Sequence, residues 1–364
     1  MDITAKNRKH QIWIDIVKGF AILAVVIWHT SYQLPDVFSE MIRPLLGTLW
    51  HVPVFLMIGG FFLKDEELVE PKSFIKKKFK TLYVKLLVYY AVFILLHNLF
   101  FKIGFFSTDA LYTGKHIYPL SSLSDVLKQV GWAFLAAREP FLGAMWFVNL
   151  LFLGLCILSI LSWGINRLCK REHYESKRAL AVFFVGFISF LFSHQLGVSI
   201  TRITPSLCAT LLIYIGFVAN KKVRLKFDNK YVYILSIFIL IDIVLTWKKD
   251  VSMASDTYLD LMFLIVGTFC SLYALCYIAK KIETLRFGKL MALFGKESYN
   301  IMALHLLGFK IATGILMLAG IHKPLDELYS PASNIAELTL YVICAVFFSL
   351  FVSLIINKVK KYVR

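Results

Sequence analysis

Lys18 and His29 stand eleven residues apart inside the first long apolar run, Ile14 to His29, and Asp15 lies three residues before the lysine. At about 100° and 1.5 Å per residue, a helix brings them to within roughly 20° of one face, some 16 Å apart along the axis. Ionisable groups in hydrocarbon cost several kcal/mol unless they face a protein interior or a wet cavity, so both are candidates for function. Asp15 is placed to pair with Lys18. An imidazole can exchange a proton near neutral pH, and a cation can hold an anion. The stripe through Lys18, Ile22, Val25 and His29 is expected to point into the protein.

The elements that must carry these residues follow from hydropathy. Of the 364 residues, 59% are hydrophobic, and mean hydropathy is +0.70. Apolar runs long enough to cross a roughly 30 Å hydrocarbon core recur throughout. They predict ten spans, at 12–33, 45–63, 81–104, 141–163, 179–196, 203–219, 231–247, 257–279, 297–320 and 336–356. The fold class expected is an all-α, polytopic membrane helical bundle, read as a single membrane domain over 1–364 with no soluble domain. No cleavable signal is expected before the first span, because the stretch after the polar N-terminus carries Asp15 and Lys18.

The formal net charge of +17 raises the question of nucleic acid, which its distribution answers. About 28 of the 40 Lys and Arg fall in 1–11, 64–80, 164–178, 220–230, 280–296 and 357–364, and about 8 in the alternate loops. That asymmetry is the positive-inside pattern, placing both termini in the cytoplasm with an even number of spans. No nucleic-acid partner is expected; the partner implied by the basic loops is the lipid bilayer. The six cysteines, mostly within spans, read as packing residues, with no disulfide framework and no metal-like spacing. There is no phosphate loop, zinc motif or GxSxG elbow, so no metal is expected.

Counting from span edges sorts the remaining polar residues by depth. Lys18, Lys85, Ser298 and His305 fall towards the inside, and His29, His51, Trp146 and Asn149 towards the outside. Two polar layers are expected. Lys85, Lys102 and Lys310 have a plain alternative in snorkelling, and His97 in an interhelical hydrogen bond. Between 105 and 140, Ser124-Asp125 has the look of a helix N-cap before Val126, Leu127, Val130 and Phe134. That helix reads either as an amphipathic element on the outer membrane surface or as a lid or acceptor-binding element.

Four segments carry a family resemblance. The Asp15–His29 run resembles the first-helix signature of the membrane acyltransferase-3 family, a basic residue and a histidine separated by ten residues. His51-Val52-Pro53-Val54-Phe55-Leu56-Met57-Ile58-Gly59-Gly60, Ala144-Met145-Trp146-Phe147 and the stretch from Phe294 to His305 are similar to segments of its sugar O-acetyltransferase (fucose 4-O-acetylase-like) branch. They occur in the family's order across most of the chain. Lys18 stands where arginine is commoner, which keeps the charge but not a bidentate fork. Gly59 stands where serine is usual. The resemblance implies a multi-pass cell-membrane enzyme that moves an acetyl or other acyl group from acetyl-CoA to a hydroxyl of an envelope glycan or lipid-linked precursor. No permanently bound cofactor is implied.

On that reading His29 is the general base, Lys18 the electrostatic anchor for the donor and Asp15 its fixing partner. His51 and His305 are secondary, one an orienting partner or proton relay on the outer side and the other a donor-channel residue on the inner side. Trp146, Asn149, Ser298 and Lys85 are substrate-binding candidates. Two other classes stay open on the residues alone: a transporter or flippase for a sugar or anionic substrate, since intramembrane His, Lys and Asp suit proton-coupled transport as well, and a non-catalytic assembly subunit. Acceptor identity and oligomeric state are not legible.

Overall fold

A computed structural model describes residues 11–31, 34, 50–112, 114–136, 138–247, 253–254, 260–329 and 331–362. Residues 32–33, 45–49 and 257–259 of the expected spans lie outside them. The chain is an all-α polytopic membrane bundle. In order, the helices are α1 (Ile12–Thr30), α2 (His51–Phe61), α3 (Asp65–Leu68), α4 (Pro71–Lys78), α5 (Val84–Lys102), α6 (Leu123–Ala136), α7 (Trp146–Leu168), α8 (Tyr174–Phe190), α9 (Ile203–Phe217), α10 (Lys230–Trp247), α11 (Leu261–Ile282), α12 (Arg286–Lys296), α13 (Ser298–Leu318) and α14 (Ile335–Tyr362). A two-residue hairpin, β1 (Leu111–Tyr112) with β2 (Lys115–His116), is antiparallel.

Eight helical segments among the described residues are long and apolar enough to cross a membrane. The 18-residue α10 and the 11-residue α2 occupy the other two expected positions. The spans expected at 179–196 and 203–219 are separate helices, α8 and α9, because the chain turns at Arg202, whose φ is 67°.

Two elements depart from expectation. The stretch 286–296 was read as part of a basic loop, yet it forms α12, whose buried face is Gly288, Met291, Ala292, Phe294 and Gly295. This helix lies flush on α1. A methyl group added at Gly295 would overlap the Asp15 carbonyl oxygen, and one at Gly19 would overlap that of Met291. Glycine is needed at both because the opposing atoms are backbone and cannot swing aside. Gly295→Ala is therefore expected to destabilise the protein by about 3 kcal/mol, the upper end for overpacking. Gly164→Ala, where nothing lies within 4 Å, should be neutral. Thermal unfolding of the two purified variants checks this, and equal melting temperatures would refute it.

The second departure is α6. Its cap is Ser122, whose Oγ accepts from the Asp125 amide at 3.2 Å, while Asp125 Oδ2 accepts from the Ser122 amide at 3.0 Å. The cap thus falls two residues before the expected Ser124. It also runs down the side of α5. Asn98 exchanges hydrogen bonds with the Leu120 backbone at 2.8 and 2.9 Å, and the Tyr83 hydroxyl donates to the Phe134 carbonyl at 2.6 Å. Fifteen residues of α5 and the turn before it are spanned, roughly 20 Å. A helix lying flat on the outer surface could not make both contacts. Leu127, Val130 and Leu135 are exposed, as suits contact with lipid.

Candidate active site

His29 and His305 meet. His29 Nδ1 lies 2.9 Å from His305 Nε2, and the rings stack with centroids 5.0 Å apart. The other nitrogen of His305, Nδ1, is 3.0 Å from the carbonyl oxygens of both Ile301 and Met302. Carbonyls only accept, so His305 Nδ1 carries its hydrogen and Nε2 its lone pair. His29 Nδ1–H must then donate to His305, which leaves the lone pair of His29 on Nε2. Helix α13 holds its histidine by two backbone acceptors, and the second histidine fixes the tautomer of the first.

This contact corrects the two-layer expectation, which set His305 at the depth of Lys18. The count took Glu297 as a membrane edge. Glu297 instead sits at a helix junction inside the bundle, its carboxylate accepting from Asn300 at 2.8 Å and from Ser353 at 2.5 Å. Gly295 packs at the level of Asp15, so the ten residues to His305 climb roughly 15 Å along α13. The scheme fails at Asn149 too. Its Nδ2 donates to the Tyr83 hydroxyl at 3.0 Å, only two residues from Lys85, which was assigned to the opposite layer.

The remaining candidates are dispersed. Lys18 pairs with buried Asp15 at 2.6 Å and keeps 24% of its side chain exposed. Because α1 is unbroken from Ile12 to Thr30, Lys18 stays roughly 16 Å from His29 along the axis. His51 is buried at the start of α2 with its ring 6.0 Å from that of Trp28, and its Nδ1 has no hydrogen-bond partner among the described residues. It does not orient His29; His305 does. Trp146 is stacked under the Arg202 guanidinium at 5.5 Å. Ser298 opens α13 seven residues before His305. Lys85 is exposed and lies over the Tyr299 ring at 5.8 Å, away from the histidines.

Several residues at the site were not anticipated. The Tyr329 ring is 5.7 Å from His29, and its hydroxyl rests on Gly143, where a side chain would collide with it. Tyr112 abuts the same glycine. Burial, reinforced by Glu139, holds both phenols above the usual tyrosine range; Tyr112 adds to the rise at Tyr329, while Tyr112 itself is opposed by Arg202, a backbone hydrogen bond from Glu139 and Arg138. Both remain protonated donors. Lys310, read as a snorkelling lysine, is buried and donates to the Leu325 and Glu327 carbonyls at 2.7 and 2.6 Å. It thereby ties down the segment that carries Tyr329. Glu139 is fully buried, and neither carboxylate oxygen has a hydrogen-bond partner among the described residues. Its position in Arg138-Glu139-Pro140, just ahead of an apolar run, was the one available signal; the tyrosines carried none.

The fold and site define a polytopic membrane helical bundle that brings two histidines of distant helices into hydrogen-bond contact beside a buried tyrosine. Residues 11–358 match the model of the acyltransferase domain, Acyl_transf_3. The chain belongs to the acyltransferase-3 family and is a multi-pass membrane acyltransferase. The transporter reading is not favoured. Comparison with curated proteins and with solved structures found no match.

Proposed function

We propose that this acyltransferase moves an acetyl group from acetyl-CoA to a hydroxyl of an envelope glycan or its lipid-linked precursor, with His29 as the general base. The observation that carries this reading is the His29–His305 hydrogen bond, which directs a basic nitrogen away from the pair. His29 Nε2 takes the hydroxyl proton as the sugar oxygen attacks the thioester carbonyl. The C–O bond forms, the C–S bond breaks, and the proton passes from His29 to the departing thiolate, so an ester and free CoA result. The phenol of Tyr329, whose ring lies 5.7 Å from that of His29, is the donor we assign to the negative charge that develops on the carbonyl oxygen. The conjugate acid of His29 strengthens its bond to His305 as it forms.

Lys18, fixed by Asp15, is the donor-side cation. With about 16 Å between it and His29, no single atom can be served by both, so the nucleotide is held near Lys18 and the pantetheine arm reaches towards the histidines. The charge pattern puts Lys18 on the cytosolic side, where CoA is met, and His29 on the outer side. That the acceptor is a sugar hydroxyl rests on the resemblance of the three later segments described above to the sugar branch of the family. The test is incubation of purified protein with radiolabelled acetyl-CoA and envelope extract. Incorporation of label into glycan is expected, and Lys18→Ala should raise the KM for acetyl-CoA. Absence of incorporation, or movement of glycan across vesicles without it, would overturn the reading.

A further inference from the structure

Beside the histidine site, the β1–β2 hairpin, the 117–120 linker and α6 enclose a pocket of about 420 Å³. That is within the usual range for a small-molecule site. It joins the reaction centre through Tyr112, which lines the pocket and touches the same glycine as Tyr329. Its walls are cationic and aromatic. The Arg138 guanidinium and the Lys115 ammonium both lie over the Trp132 ring, at 5.0 and 5.8 Å. Neither forms an ion pair with a carboxylate among the described residues. Lys128 adds a third positive charge. The one acidic residue in the lining, Asp125, has its carboxylate engaged by the Ser122 amide and hydroxyl at 3.0 and 2.8 Å.

Two cations gathered at one indole ring repel each other, and an anion bound beside them would relieve that repulsion. His97 lines the pocket, and its Nε2–H donates to the Tyr118 carbonyl at 3.0 Å. Its Nδ1 lies 3.9 Å from the Glu139 carboxylate, which stands behind the lining, and both atoms are buried away from the pocket. What the lining presents to a ligand is positive charge around the half-exposed Trp132 indole. A ligand that carries an acidic group answers it.

We propose that this pocket holds the acceptor, and that the acceptor is an acidic saccharide bearing a carboxylate or phosphate. The words acceptor and saccharide rest on the acyltransferase reading above; the preference for an acidic group stands on the pocket itself. The test uses the full chain in nanodiscs of zwitterionic lipid, with digalacturonic acid and its uncharged methyl ester as probes in calorimetric titrations. The acid should bind at least about tenfold tighter than the ester, a difference of about 1.4 kcal/mol, and the preference should shrink as salt rises. The Lys115→Glu, Arg138→Glu double variant should abolish the preference. Arg138→Gln, a milder change at a half-buried position, should reduce it should the double variant fail to fold.

Equal affinity for acid and ester would overturn the proposal. So would occupation of the pocket by phospholipid headgroups, seen as loss of digalacturonate binding in phosphatidylglycerol nanodiscs at high salt. His29→Gln is expected to bind the acid as the wild type does. Binding of the acid without acetyl transfer to any glycan would support the pocket while overturning the glycan-acetyltransferase reading. Transfer to neutral glycans by protein that ignores the acid would do the reverse.

Discussion

Replacing His29 with glutamine lowers acyl transfer by about 10²- to 10⁴-fold, the range over which positioned general bases act. A sugar hydroxyl is a poor nucleophile at neutral pH, and glutamine has no basic nitrogen with which to activate it. The substitution is chosen to preserve packing. A glutamine amide can still donate to His305 Nε2, whereas alanine would leave the lone pair of a buried imidazole unmet as well. The measurement is kcat for acetyl transfer in membranes, alongside the KM for acetyl-CoA, which should hold because the donor's charged end is held near Lys18. A variant within threefold of wild-type kcat would remove His29 from the reaction. A raised KM with unchanged kcat would instead place the histidine in donor binding.

The second large effect is expected at His305, a positioning residue. Its Nε2 is the acceptor for His29 Nδ1–H at 2.9 Å, and its own Nδ1 is committed to the carbonyls of Ile301 and Met302. His305→Phe fills the same buried volume but accepts nothing. The His29 tautomer is then no longer enforced, and the imidazolium that forms during transfer loses its partner. A fall in kcat of about 10²-fold follows, smaller than loss of the base itself, because a correctly oriented tautomer remains one of the populations sampled. His305→Gln can present an amide oxygen to His29 and should recover part of the loss. A purely structural role would not separate the two, since both would be scored by stability. Thermal unfolding of each variant beside kcat makes the distinction, and equal activity of the Phe and Gln variants would refute the orienting role.

Much of this arrangement was legible before any coordinates. The Lys18–His29 spacing, Asp15 at i−3 and the inward stripe through Ile22 and Val25 are properties of one helix, and helical geometry carries them without reference to neighbours. The buried Asp15–Lys18 pair at 2.6 Å follows from that local rule. Hydropathy located the long helices for the same reason: the thickness of hydrocarbon and the need to satisfy every backbone group internally act on each segment separately.

Depth and neighbourhood are different quantities. His305 was assigned to the wrong partner because its helix was counted from an assumed membrane edge, while α12 packs along α1 through Gly19 and Gly295 and raises the start of α13 into the bundle. Asn149 was misplaced by the same kind of count, and of the two readings of α6 the flat surface helix fails because it descends along α5. Tyr112, Tyr329, Glu139 and Arg202 left no periodic signal, since they lie in loops or at helix ends and become a site only where the helices bring those ends together. The sequence by itself determined the bundle, the amphipathic first helix and its two polar residues, because those depend on contacts within a turn or two. Only the tertiary structure decided that His29 faces His305 rather than His51, because that choice depends on how far one helix is shifted along another, which close backbone packing at glycines sets and which no local pattern encodes.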